Sequence, residues 1–128
     1  MCGSVRFEVT ERPLSAGYCH CTRCQRRSGG AWSAQARIAP GTINVLAGEE
    51  LVRDFRPEDG WPKSFCSNCG SALWSKNPET DDIGSVRLGL FDPGHDIRPQ
   101  WHAYVDYACE WEPIPDDGLA RYPEAKPR

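Results

Sequence analysis

The chain has 128 residues, a formal net charge of −3 at pH 7 and a hydrophobic content of 39%. This length predicts a single domain over residues 1–128, with a polar tail from about residue 116 to residue 128. The acidic balance argues against binding to nucleic acid or to anionic lipid. No apolar run approaches the roughly 20 residues that a membrane span requires, so we expect no membrane association.

Alternation of polar and apolar residues predicts a series of short strands. The alternation is clearest at residues 4–9 and 32–38, and shorter candidates lie at residues 43–46, 51–55, 64–66, 72–74, 86–90 and 103–105. Turn signals rich in glycine and proline separate these segments. The best helical segment is short, at residues 24–28, and stops at Gly29 and Gly30. Together these elements predict an all-β fold with little helix.

Six of the seven cysteines fall into three groups, which are Cys2, Cys19-x-Cys21-x-x-Cys24 and Cys66-x-x-Cys69. An odd number of cysteines does not fit a fully paired disulfide framework, and the βαβ context of a thioredoxin-like redox pair is absent. No secretory leader is visible, so we expect a cytoplasmic protein whose thiols are reduced. The spacing therefore predicts metal binding, with zinc as the metal.

The last two cysteine groups together hold five thiols, more than a single zinc ion uses. Two sites are the alternative to one cluster, because Cys2-Gly3 opens a strand much as Cys69-Gly70 precedes another. Cys2 would then join Cys66 and Cys69. The remaining group would keep three thiolates and one open position, as catalytic zinc sites do. A thiol that entered this position would lose its proton and become a nucleophile.

Three arginines, Arg23, Arg26 and Arg27, lie within or just after the group of Cys19, Cys21 and Cys24. We predict that Arg26 and Arg27 recognise a carboxylate of the substrate, because the guanidinium fork suits that group. A solvated turn is the alternative, and we favour it for Arg23. His20 alternates away from the two cysteines beside it, and Cys109 has no spaced partner, which is typical of a small buried hydrophobe.

The arrangement of these motifs resembles the glutathione-dependent formaldehyde-activating enzyme family. The resemblance rests on segments that run in the family's order through nearly the whole chain, namely residues 2–7, 18–29, 65–73, 89–92, 102–106, 111 and 116–119. It implies an all-β zinc-binding domain of several short coiled antiparallel sheets.

The resemblance also implies which residues bind metal and which reaction is catalysed. Cys19, Cys21 and Cys24 match the family's active-site zinc ligands, so they are the catalytic residues that it implies. Residues that match the family's structural zinc site are Cys2, Cys66 and Cys69. The expected cofactors are one or two zinc ions, with glutathione as co-substrate. The type activity condenses glutathione with formaldehyde, which makes the enzyme a carbon–sulfur lyase acting on a small-molecule thiol and aldehyde.

One departure from the family pattern concerns the N-terminus. The family has a Cys-x-Cys-Gly pair there, and its first cysteine would fall one position before Met1. We therefore expect the natural protein to begin upstream and the structural site to lack one ligand here.

Other functions stay open at this point. The fold can process a different thiol adduct, or it can act as a non-catalytic zinc-binding module for protein interaction. A third alternative is that both cysteine clusters are structural. The sequence does not predict an oligomeric state.

Overall fold

The structure is a computed structural model that describes residues 1–127. Within these residues it has a single α-helix, α1 (Thr22–Ser28), and ten short strands. The strands are β1 (Arg6–Val9), β2 (Ser15–Cys19), β3 (Ser33–Arg37), β4 (Ile43–Ala47), β5 (Val52–Phe55), β6 (Lys63–Cys66), β7 (Ala72–Lys76), β8 (Ile83–Arg87), β9 (Trp101–Ala103) and β10 (Ala120–Arg121). The prediction of an all-β fold with little helix is confirmed. In the described part of the chain, no helix has both the length and the apolar character that crossing a bilayer takes.

The strands form two sheets. β1 and β4 make a two-stranded antiparallel sheet, and the other eight strands form one sheet in the order β10-β9-β2-β3-β8-β7-β6-β5. Most neighbours are antiparallel, but β9 runs parallel to both β2 and β10, which the sequence did not predict. Parallel neighbours need a long connection, and here the chain from β2 passes through strands β3 to β8 before β9 returns to it.

The hydrophobic core lies on one face of the large sheet and is covered by the small one. Trp74 of β7 and Val86 of β8 are buried there and pair across the two strands. Phe7 of β1 packs edge-on against Trp74, with ring centroids 5.8 Å apart, and against Phe91 at 6.0 Å. Because side chains alternate along a strand, Ser75, which follows Trp74, and Ser85, which precedes Val86, point to the opposite face of the sheet.

Helix α1 begins two residues before the predicted segment and ends where the sequence predicted. Cys21 is its N-cap, with its sulfur accepting a hydrogen bond from the backbone N–H of Cys24. Gly29 ends the helix at a φ of 72°, a left-handed conformation that a residue without a Cβ adopts at little cost. Cys21 and Cys24 are thereby held together at the start of a single helix.

Strands β2 and β10 were not predicted. β2 reads Ser-Ala-Gly-Tyr-Cys, in which Gly17 lies directly against the indole of Trp101, so that a Cβ at this position would overlap the ring. β10 falls within the segment predicted as a polar tail and pairs with β9. Beyond it, the backbone carbonyl of Glu124 accepts a hydrogen bond from the N–H of Tyr104. Residues 120–124 therefore lie beside β9 and the residue that follows it.

Candidate metal centres

Cys19, Cys21 and Cys24 form the first cluster, which we call the cavity centre. Cys19 ends β2, Cys21 caps helix α1, and Cys24 lies in the first turn of that helix. Their three sulfur atoms all lie within 4.8 Å of one another. Cys19 and Cys24 are buried and Cys21 is half-buried. Three converging thiols at this spacing fit a single soft divalent cation.

The three thiols of the cavity centre differ in how readily they ionise. Hydrogen bonds from Cys19 and Cys21 lower the pKa of Cys24 to about 2, and a hydrogen bond from Ser33 and the charge of Arg87 act in the same direction. The same contacts to Cys21 and Cys24, together with burial, raise the pKa of Cys19. The thiolate of Cys24 therefore forms easily, whereas that of Cys19 is disfavoured. A bound cation would favour the thiolate form of all three cysteines.

Cys2, Cys66 and Cys69 form the second cluster, which we call the N-terminal centre. Their sulfur atoms also lie within 4.8 Å of one another, and those of Cys2 and Cys66 are 3.8 Å apart. Gly3 and Gly70 follow Cys2 and Cys69 with the same φ of 79°, so the two Cys-Gly pairs make matching turns. Both cysteine triads that the sequence predicted are thus brought together, although Cys2 is exposed.

Hydrogen bonding also favours the ionisation of one thiol of the N-terminal centre. The side chain and backbone of Ser71 lower the pKa of Cys69 to about 5. The turn is closed by the backbone N–H of Gly70, which donates to the carbonyl of Cys66 at 2.7 Å. This arrangement fits a cation held at the surface by a tight turn and the N-terminal segment.

A chain of polar side chains with two buried histidines supports the cavity centre, and sequence reasoning missed it. His20 Nε2 lies 2.8 Å from His102 Nδ1, and His102 Nε2 lies 2.8 Å from Asp117 Oδ2. Burial, followed by the charge of His102, lowers the pKa of His20 to about 4, which keeps His20 neutral near pH 7. The His20 backbone is fixed as well, because its carbonyl accepts a hydrogen bond from Gln25 Nε2 at 2.7 Å. These contacts hold the segment between Cys19 and Cys21.

The three arginines near the cavity centre lie in different surroundings. Arg23 forms an exposed ion pair with Asp59 at 2.7 Å. Arg26 is exposed. Arg27 points inward, and its Nη2 donates to the carbonyl oxygens of Ser64 at 2.6 Å and Trp74 at 3.2 Å. Among residues 1–127, the lining of the cavity described next includes neither Arg26 nor Arg27.

A cavity of about 770 Å³ opens beside Cys19, Cys21 and Cys24. This volume lies within the range of small-molecule sites. Its aromatic lining comes from Trp61, Trp101 and Tyr104. Its basic side chains outnumber its single acidic one, Asp82, and they are Arg23, Arg37, Lys63, Arg87 and Lys126. The thiol cluster therefore faces a concave and positively charged space.

Comparison with known proteins gives a consistent result. Residues 1–107 match the family described as glutathione-dependent formaldehyde-activating enzyme. A curated protein of Halomonas elongata whose name places it in the same family is 32% identical over 134 residues, which cover 96% of this chain and 85% of the relative. A crystal structure of a Rhodobacter sphaeroides protein aligns with a TM-score of 0.55 at 22% identity, over 94% of each chain, which shows a shared fold.

Proposed function

This chain belongs to the glutathione-dependent formaldehyde-activating enzyme family, and we propose that it is a zinc-dependent enzyme that joins a thiol such as glutathione to a small aldehyde such as formaldehyde. The observation that best supports this function is the cavity centre. Cys19, Cys21 and Cys24 meet beside the cavity, and within residues 1–127 no fourth cysteine, histidine or carboxylate joins them.

Zinc fits the three sulfur ligands of the cavity centre. Bound there, it would supply an open coordination position in which a thiol loses its proton at neutral pH. The chain itself contributes the alignment of its ligands. The contact between His20 and His102 fixes the backbone between Cys19 and Cys21, while the cap of α1 fixes Cys21 against Cys24.

The proposed reaction conserves atoms and charge without a further reactant. The sulfur of the ionised thiol bonds to the aldehyde carbon, the carbonyl π pair moves to the oxygen, and that oxygen takes up the proton which the thiol lost. The reverse reaction breaks the carbon–sulfur bond, which makes the enzyme a carbon–sulfur lyase. The chain's part is to hold thiol and aldehyde together in one cavity, which replaces a bimolecular encounter.

We propose a structural role for the N-terminal centre. Cys2, Cys66 and Cys69 would hold a second zinc ion that ties the start of the chain to the turn between β6 and β7. A reduced, cytoplasmic setting suits both centres, because oxidised cysteines cannot ligate zinc.

Replacement of Cys21 by serine tests the proposed function. We expect Cys21→Ser to reduce the enzymatic exchange of ¹³C-formaldehyde with glutathione at least about 100-fold, because the centre loses a ligand and the cap of α1. The exchange is measured by magnetisation-transfer NMR against the uncatalysed rate, and circular dichroism checks the fold.

Cys109→Ser is the matched control, because Cys109 lies outside both clusters. It should keep the wild-type exchange rate. Undiminished exchange in Cys21→Ser would reject the assignment. A wild-type protein that binds zinc at both centres but accelerates no thiol–aldehyde exchange would instead favour the non-catalytic interaction module.

A further inference from the structure

A row of polar side chains crosses the floor of the cavity. Lys63 pairs with Ser75, Ser75 with Ser85, Ser85 with Arg37, and Arg37 with Ser15, across five neighbouring strands. All five residues line the cavity. The row lies on the face of the sheet opposite the core, and it combines two cations with three hydroxyl groups.

A second row lies between this one and the cavity centre. Arg87 pairs with Gln35, which pairs with Gly17, and two residues further on Ser33 pairs with Cys19. Arg87 Nη1 donates to Ser33 Oγ at 2.9 Å and to Gln35 Oε1 at 3.0 Å. With a rise of 3.3–3.4 Å per residue, the row of Lys63 lies about 13 Å along the strands from the row of Cys19.

Lys63 of the first row and Arg87 of the second have no acidic partner. Among residues 1–127, no carboxylate oxygen lies within 4.0 Å of the side-chain nitrogens of Lys63 or Arg87. Lys63 Nζ donates a hydrogen bond to Ser75 Oγ at 3.4 Å. Arg27 Nη1 also donates to Ser75 Oγ at 3.4 Å, while its Nη2 donates to backbone carbonyls. Burial, followed by the charges of Arg27 and Arg87, lowers the pKa of Lys63.

The metal centre would neutralise only part of this positive charge. Three thiolates exceed the charge of one zinc ion by one, whereas Arg27, Lys63 and Arg87 contribute three positive charges. Half-buried cations without an acidic partner are costly unless an anion joins them. A ligand that brings a carboxylate in addition to its thiolate would place negative charge beside Lys63 and Arg87.

We propose that Lys63 and Arg87 form a carboxylate subsite, through which the enzyme selects acidic thiols such as small thiol-bearing peptides over neutral thiols. The thiol would lie at the cavity centre and the carboxylate at the floor, with Ser75 and Ser85 as further hydrogen-bond donors. This inference rests on the proposed function, because it concerns the same cavity. It also moves substrate recognition away from Arg26 and Arg27.

Two glutathione derivatives separate the carboxylate subsite from thiol capture. S-methylglutathione keeps both carboxylates but has no free thiol, whereas glutathione diethyl ester keeps the thiol and masks the carboxylates. Binding of each to the zinc-loaded full chain is measured by calorimetry. We expect Lys63→Met and Arg87→Met each to weaken S-methylglutathione binding about 10- to 100-fold, the range for a lost charge-assisted hydrogen bond. Binding of the ester should change less than about threefold.

Two further variants serve as controls. Lys63→Arg keeps the charge and should retain most of the affinity. Arg98→Met removes a charge from an exposed segment outside the cavity and should leave binding unchanged. Zinc content and circular dichroism confirm that each variant is intact. In a separate comparison, the wild-type protein should bind glutathione at least about tenfold more tightly than it binds the diethyl ester.

The outcomes distinguish this inference from the proposed function. Equal binding of S-methylglutathione by wild type and Lys63→Met would overturn the subsite, even if the ester binds well. Equal affinity of the wild type for glutathione and its ester would overturn it as well. The expected pattern with S-methylglutathione, together with equal affinity of the wild type for glutathione and S-methylglutathione, would support the subsite and reject thiol capture.

Discussion

Two neighbouring arginines of α1 show how the surroundings of one residue decide its role. Arg26 is exposed, whereas Arg27 turns inward and binds the carbonyl oxygens of Ser64 and Trp74. Burial, followed by the charge of Arg87, lowers the pKa of Arg27 to about 10, so Arg27 stays charged at neutral pH. These contacts join the helix that carries Cys24 to strands β6 and β7. The role of Arg26 and Arg27 in substrate binding stays a prediction, and the contacts favour a structural role for Arg27.

Replacement of each arginine by alanine separates these two roles. We expect Arg27→Ala to lower the free energy of unfolding by about 2 kcal/mol, because buried carbonyl oxygens lose a charged donor. Arg26→Ala should change it by less than about 0.5 kcal/mol, as is typical of an exposed position. Urea denaturation measures both values. Equal stability of the two variants, with weaker glutathione binding in Arg27→Ala, would show that Arg27 contacts substrate.

At the scale of elements, strand β2 is shaped by a close contact with β9. Gly17 allows the indole of Trp101 to lie directly against the backbone of β2. The same two strands run parallel, with Tyr18 opposite His102 and Cys19 opposite Ala103. The contact therefore sets where Cys19 lies relative to the strand that carries His102.

Addition of a single methyl group tests this contact. We expect Gly17→Ala to lower the free energy of unfolding by about 3 kcal/mol, because the buried Trp101 ring must shift to admit the new Cβ. Gly89→Ala is the matched control, since a Cβ there meets no atom within 4 Å and the backbone does not require glycine. Chemical denaturation of both variants provides the comparison. A Gly17→Ala protein as stable as the control would contradict the packing described for β2.

The elements also show how far the sequence predicts this molecule. Strands such as β3 were predictable because one face is buried and the alternation is local. β2 was not predictable, because Gly17 interrupts its alternation of polar and apolar residues. The glycine makes room for Trp101, which lies 84 residues away in the sequence. The triad of Cys19, Cys21 and Cys24 was predictable from local ligand spacing, whereas the joining of Cys2 to Cys66 and Cys69 rested on the matching Cys-Gly pairs and on the family resemblance. The contact of His20 with His102, and the pairing of Lys63 with Ser75, depend on strand register and could not be predicted from spacing.

At the scale of the whole molecule, the two cysteine clusters lie in different surroundings. The N-terminal centre includes the exposed Cys2, whereas the cavity centre has two buried thiols and faces the basic cavity. The large sheet supports both, with its core on one face and the floor of the cavity on the other. This division is the physical basis for proposing one structural and one catalytic zinc ion.

The most direct test of the central claim is zinc K-edge X-ray absorption on a Cys69→Ser variant, in which only the cavity centre keeps all three cysteines. One zinc equivalent should show three sulfur ligands at about 2.3 Å from Cys19, Cys21 and Cys24. Addition of reduced selenoglutathione should then introduce a zinc–selenium scattering path, as the selenol occupies the open position. Four protein ligands before the addition, and no zinc–selenium path after it, would contradict the account.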